Sequence, residues 1–77
     1  MRQVYEIARD IRAHWPKVHY AAAPYLDAMG QIADIKDAYY YDSGASVVRY
    51  FLANANHWKG EDAKRIKAEL KAMLKGV

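Results

Sequence analysis

The sequence predicts an all-α fold, a small three- to four-helix bundle forming a single domain over residues 1–77. Three observations predict it. Apolar residues recur at helical spacing in four stretches, no alternating strand pattern of useful length interrupts them, and capping, proline and glycine residues stand where helices should start and stop. A chain of 77 residues makes one domain, burying roughly 60% of the surface that its unfolded form exposes. Its apolar share of 53% is too high for a disordered chain of this charge content. Among those residues are 14 Ala and 7 Tyr. Alanine lets helices approach closely, whereas tyrosine adds bulk but needs its hydroxyl satisfied or exposed. Short, close-packed helices with tyrosines at the rim of the core are expected.

The first helix runs from about Arg2 to His14, with Val4, Ile7, Ala8, Ile11 and Trp15 on one face. Pro16 ends it, because proline disfavours helical geometry in the residue before it. The second starts within Ala21–Pro24, where Pro24 is tolerated in a first turn whose N–H groups lack partners anyway. Leu26, Met29 and Ala33 share its face, flanked by Tyr25 and Ile32. Gly30 falls inside the pattern, costs about 1 kcal/mol against alanine, and could let another helix pass close by. Asp34 to Tyr41 fits a loop, a frayed helix end or a short turn. Asp42 and Ser43 are N-cap residues for a third helix over about Ser43–Ala55, burying Ala45, Val48, Phe51, Leu52 and Ala55. After Asn54, Asn56 and Gly60, a fourth helix covers Glu61–Lys75 with Ala63, Ile66, Leu70, Met73 and Leu74 inward. Its acids lead and Lys75 trails, which suits the helix dipole, and Gly76 fits the residue just past its end.

Chemistry is harder to find. The chain has no cysteine, which excludes disulfides, thiolate metal sites and cysteine nucleophiles and favours a reducing cytoplasm. Glu6, Arg9 and Asp10 interrupt what a signal peptide would keep apolar, and no run approaches the ~20 apolar residues that span a bilayer. A cytoplasmic location without a membrane association is expected. His14 and His19 are separated by Pro16 and so cannot share a helical face as a ligand pair, and His57 has no carboxylate at a telling spacing. Asp34 with Asp37 fits a solvated connection, and Glu61 with Asp62 a helix start. The run Ser43–Gly44–Ala45–Ser46 lacks the lysine of a phosphate loop. No catalytic residue, metal site or cofactor is expected, and no enzymatic activity.

Binding remains. Residues 1–58 carry six basic and six acidic side chains, so the whole excess of +3 falls in residues 59–77. At 100° per residue, Lys64, Lys67, Lys71 and Lys75 lie at ~0°, ~300°, ~340° and ~20°, a stripe about 80° wide beside the apolar face. Such a stripe suits phosphates or an acidic protein, and equally a solvated edge whose stems cover the core margin. Tyr39, Tyr40 and Tyr41 cannot all face one core, so at least one ring should be exposed for an interface or for base stacking. A major-groove helix-turn-helix is disfavoured, since no glycine here has the small and β-branched neighbours at the usual offsets.

Asp42–Ser43–Gly44, the run Val48–Arg49–Tyr50–Phe51–Leu52–Ala53–Asn54–Ala55, and Trp58–Lys59–Gly60–Glu61 followed by Lys67–Ala68–Glu69–Leu70–Lys71 carry a resemblance. Over residues 39–74 the chain resembles small uncharacterised proteins encoded by phages and prophages of Gram-positive bacteria. The resemblance implies a short accessory phage protein and brings no activity or site residue with it. The expected function is a non-enzymatic helical module that docks on a phage or host protein, with Trp58, Lys59, Tyr39, Tyr40 and Tyr41 as first contacts. The alternative is a weak, sequence-nonspecific nucleic-acid binder using Lys64, Lys67, Lys71 and Lys75 with the tyrosines as platform. A self-associating structural unit is the third.

Overall fold

The computed structural model describes residues 2–40 and 42–76. Four helices and one short hairpin follow in the order α1 (Val4–His14), α2 (Ala23–Met29), β1 (Ala38–Tyr39), β2 (Asp42–Ser43), α3 (Gly44–Ala53) and α4 (Glu61–Lys75). Helix α1 packs against both α2 and α4, and α3 against α2 and α4. The apolar stripes meet in one core in which Ile7, Ile11, Leu26, Met29, Phe51, Ile66 and Leu70 are inaccessible to solvent.

All five residues assigned to the inner face of α1 are buried. The helix starts two residues later than its periodicity suggests, for a non-local reason. The N–H groups of Val4 and Tyr5 donate to the carbonyls of Ala33 (2.8 Å) and Ile32 (2.9 Å), so chain from beyond α2 satisfies the first turn. The Glu6 carboxylate accepts from the Gln3 N–H at 2.9 Å. The start of α2 is as expected, with Pro24 in its first turn. Its end is not: Met29 is the last helical residue, Gly30 stands at the C-cap, and Ala33 is exposed while Ile32 and Ile35 turn inward.

The all-α expectation holds only in its coarser form, since the chain is mostly helical with a two-stranded antiparallel hairpin between α2 and α3. Ala38 lies opposite Ser43 and Tyr39 opposite Asp42. Strands of two residues leave no alternation to read. Side chains fold this segment instead. Asp34 Oδ1 accepts from the Lys36 N–H (2.8 Å), and Asp37 Oδ2 accepts from the Asp34 N–H (2.9 Å). The Asp37 carbonyl then accepts from Gly44 N–H at 2.7 Å, tying the turn to the start of α3.

Ser43 caps α3, its Oγ accepting from the Ser46 N–H at 3.1 Å. Of the expected inner residues Ala45, Val48, Phe51 and Ala55 are buried, Leu52 is only half-buried, and Val47 is buried with them; the helix stops at Ala53 because Asn54 turns back, its Nδ2 donating to the Tyr50 carbonyl at 2.8 Å. Helix α4 has the expected bounds. Gly60 before it adopts φ +112°, a left-handed conformation that other residues rarely take. Gly76 has φ −85°, so the helix ends without the left-handed turn that a glycine there suggested. Among the described residues no helix is long and apolar enough to cross a membrane.

Candidate functional site

The register of the hairpin, with Tyr39 opposite Asp42, places Tyr40 in its turn. Two-residue hairpin turns of the common type place central residues at positive φ, which asparagine and glycine tolerate best. Here the first is Tyr40, with φ +54°, the one non-glycine residue of positive φ among those described. The residue is 83% exposed. Its ring meets Tyr39 edge-on with centroids 4.7 Å apart, and Tyr39, half-buried, packs down onto the core. Tyr41 lies outside the described residues. Asp34, Asp37 and Asp42 surround this tip in sequence against Lys36 alone, and all four are exposed.

Trp58 is elsewhere and is not a surface residue. It is 4% exposed, stacked on Trp15 at 5.4 Å and 8°, with Nε1 donating to the His14 carbonyl at 3.4 Å. The expectation of a Trp58 ring open to a partner is corrected by that stack, which pins the connection before α4 to the end of α1. Lys59 beside it is exposed.

The lysine stripe is not uniform either. Lys64, Lys71 and Lys75 are exposed, but Lys67 is half-buried and its Nζ donates to the carbonyls of Ala55 (2.7 Å) and Trp58 (2.6 Å). It sits 5.8 Å from the Trp58 ring centroid. Burial, followed by the charges of Lys71 and Lys59, lowers its pKa. Lys67 is therefore a cap for the α3–α4 connection, and the expectation of four equivalent lysines on a solvated edge reduces to three.

On its other edge α4 carries a charge seam to α1. Asp10 is the hub: Arg2 and Arg65 each approach its carboxylate to 2.9 Å, and His14 Nδ1 to 2.9 Å. Arg2 also grips Glu69 with both Nε (3.0 Å) and Nη2 (2.6 Å), and Arg65 reaches Asp62 at 3.2 Å. The hydrogen bond from Arg65, offset in part by burial and reinforced by Arg2, holds the Asp10 carboxyl down at about 2. Glu69 is lowered chiefly by its hydrogen bond to Arg2, and the Asp10 carbonyl raises His14. Arg12 pairs with Asp27 across α1 and α2.

A further surface went unread in the sequence. His19 and His57, from the two connections at the Trp15–Trp58 end, stack at 4.9 Å and 24°, and Tyr20 lies against His19 at 4.7 Å and 30°. Tyr20 is 84% exposed. Tyr50 on α3, half-exposed, pairs with Tyr25 on α2 at 5.5 Å. Tyr20 could have been suspected from its position in a polar connection just after Pro16; the histidine stack joins distant segments and left no local signal. The cleft among Arg2, Gln3, Ala33, Asp34, Ile35 and Met73 holds about 130 Å³, less than the ~300 Å³ at which ligand pockets begin. No group of three or more His, Asp or Glu among the described residues could hold a metal ion.

Fold and surface together define a small helical scaffold that presents an aromatic hairpin tip at one end of α3 and a ring cluster at the other. No protein-family model, curated protein or solved structure matches the chain.

Proposed function

We propose that the protein is a small binding module, an accessory protein of a phage or prophage, which docks on a protein partner through the tip of its hairpin. The observation that carries this is Tyr40, held at φ +54° and 83% exposed. A left-handed conformation costs a side chain with a Cβ roughly 1–2 kcal/mol. An exposed ring recovers little of that from its own fold, so asparagine or glycine would serve stability better. A rigid aromatic that costs stability and faces solvent is suited to filling a pocket on another protein. The charge around it favours protein over nucleic acid. Three aspartates against one lysine repel phosphates and complement a partner surface with a basic rim.

The test is capture from nuclease-treated lysate of infected or host cells by the parent chain, Tyr40→Asn and Tyr40→Phe. A protein held by the parent and by Tyr40→Phe, and weakened about 30-fold by Tyr40→Asn, is the expected result for an aromatic hot spot of ~2 kcal/mol. Equal capture by all three, or capture that nuclease abolishes, contradicts it.

A further inference from the structure

The opposite end of α3 carries a second surface of different chemistry. Ten residues of helix, about 15 Å, separate the hairpin from it. Two connections build it, residues 15–22 between α1 and α2 and residues 54–60 between α3 and α4. Neither contains an acidic residue, whereas they hold Lys17 and Lys59, both exposed. The buried Trp15–Trp58 stack is their floor. On the outside, His57, His19 and Tyr20 stand ring against ring at 4.9 Å and 4.7 Å, ending on a tyrosine that is 84% exposed. Lys67 fixes the second connection through its two carbonyl bonds.

The charge of α4 is sorted about the same end. Asp62 and Glu69 face the seam, where Arg65 and Arg2 engage them together with Asp10. Lys64 and Lys71 occupy the other edge, and Lys67 lies close enough to Lys59 and Lys71 to feel both charges. Glu61, exposed at the head of α4, makes no ion pair among the described residues, whereas Asp62 beside it is held by Arg65 at 3.2 Å. Lys17, Lys59, Lys64 and Lys71 are all exposed.

We propose that this end of the molecule is a binding surface for single-stranded nucleic acid. Bases stack on Tyr20 and on the His57–His19 pair, and phosphates run along Lys17, Lys59, Lys64 and Lys71. Unpaired bases offer π-faces that a duplex hides, and flat rings in series accept them without regard to sequence. The lysines supply the charge term that dominates such binding. The surface is independent of the hairpin in residues, charge and position, so the two can be tested apart.

The experiment is fluorescence anisotropy with labelled oligo-dT and oligo-U 12-mers between 50 and 300 mM salt, with heparin as a polyanion that has no bases. Expected is saturable binding to both oligonucleotides with a log–log salt slope near −3, about −0.7 for each of four lysines. The double variant Lys17→Gln/Lys59→Gln should bring the slope to about −1.4. Tyr20→Ala and His57→Ala should each weaken oligonucleotide binding roughly 5- to 100-fold and leave heparin binding unchanged. All four residues are exposed, and unchanged far-UV circular dichroism verifies that the variants fold. The proposal is overturned by no binding at 50 mM salt, by ring variants that bind like the parent, or by an acidic peptide that competes as well as the oligonucleotide. Loss of Tyr40 should change none of these readings.

Discussion

Replacing Gly44 by alanine sets two physical effects against each other with opposite signs. Gly44 is the first residue of α3, and helix propensity alone says that alanine gains up to ~1 kcal/mol there. The packing says otherwise. A Cβ at Gly44 would lie 2.7 Å from the Ile35 carbonyl oxygen, 3.1 Å from its carbon and 3.2 Å from the Asp34 oxygen. All three are backbone atoms of the turn that leads into the hairpin, and the Gly44 N–H holds Asp37 at 2.7 Å on the same side. Neither wall is the end of a flexible side chain. Relief requires α3 and the turn to part by several tenths of an ångström, and overpacking of this kind costs ~1–3 kcal/mol. The net expectation is a loss of about 1–2 kcal/mol. With m near ~1 kcal/mol per M of urea for so short a chain, the midpoint should fall by about 1–2 M in a titration followed by circular dichroism. Gly76→Ala is the control, because a Cβ there comes no nearer than 3.6 Å to another atom and φ is −85°. An unchanged or raised midpoint for Gly44→Ala would refute the close approach of α3 to the Asp34–Asp37 turn, and with it the support beneath Tyr39 and Tyr40.

Other expectations concern charge. Lys67→Met should cost about 2 kcal/mol by urea unfolding, because two carbonyls lose a charged donor in a half-buried place, whereas Lys64→Gln and Lys71→Gln should each stay within ~0.5 kcal/mol. Equal effects at all three would restore the picture of one solvated stripe. The Asp10 carboxyl titrates at about 2 in the folded chain against an ordinary 3.8, so its stabilisation is complete above about pH 4 and is lost as pH falls through about 2. Allowing for solvent around the partly exposed arginines, roughly 1 kcal/mol should disappear over that window. Asp10→Asn should flatten this part of the stability profile, and parallel profiles for parent and variant would remove Asp10 from its place as hub.

Legibility in the sequence followed locality. The stripe of α1 and both ends of α4 could be read because each is decided within the helix: the spacing of Val4, Ile7, Ile11 and Trp15 in one, the Gly60 break and the dipole-matched ends in the other. The hairpin could not, since its strands are two residues long and its shape comes from the Asp34 and Asp37 side chains bonding to backbone. Trp58 was expected as a partner contact because tryptophan dominates interface energies; it is buried because Trp15, far away in the chain, supplies the ring it stacks on. Lys67 sat at the border of the apolar face on a helical projection, which cannot show the two carbonyls waiting in the preceding connection. Of the candidate residues, Tyr40 was legible as one of three tyrosines too many for a single core, though not its backbone conformation. The seam around Asp10 draws on both ends of the chain and was invisible for that reason.

The unfolding free energy of Tyr40→Asn tests most directly whether that ring serves a partner rather than the fold. Asparagine accepts the left-handed conformation with little strain, and the edge-on contact with Tyr39 is worth ~0.5 kcal/mol at so exposed a position. Relief of ~1–2 kcal/mol of strain against that loss should leave the variant more stable than the parent by about 0.5–1.5 kcal/mol. A variant less stable by 1 kcal/mol or more would show that Tyr40 is held in place for its own domain, and would contradict its role as the contact for another protein.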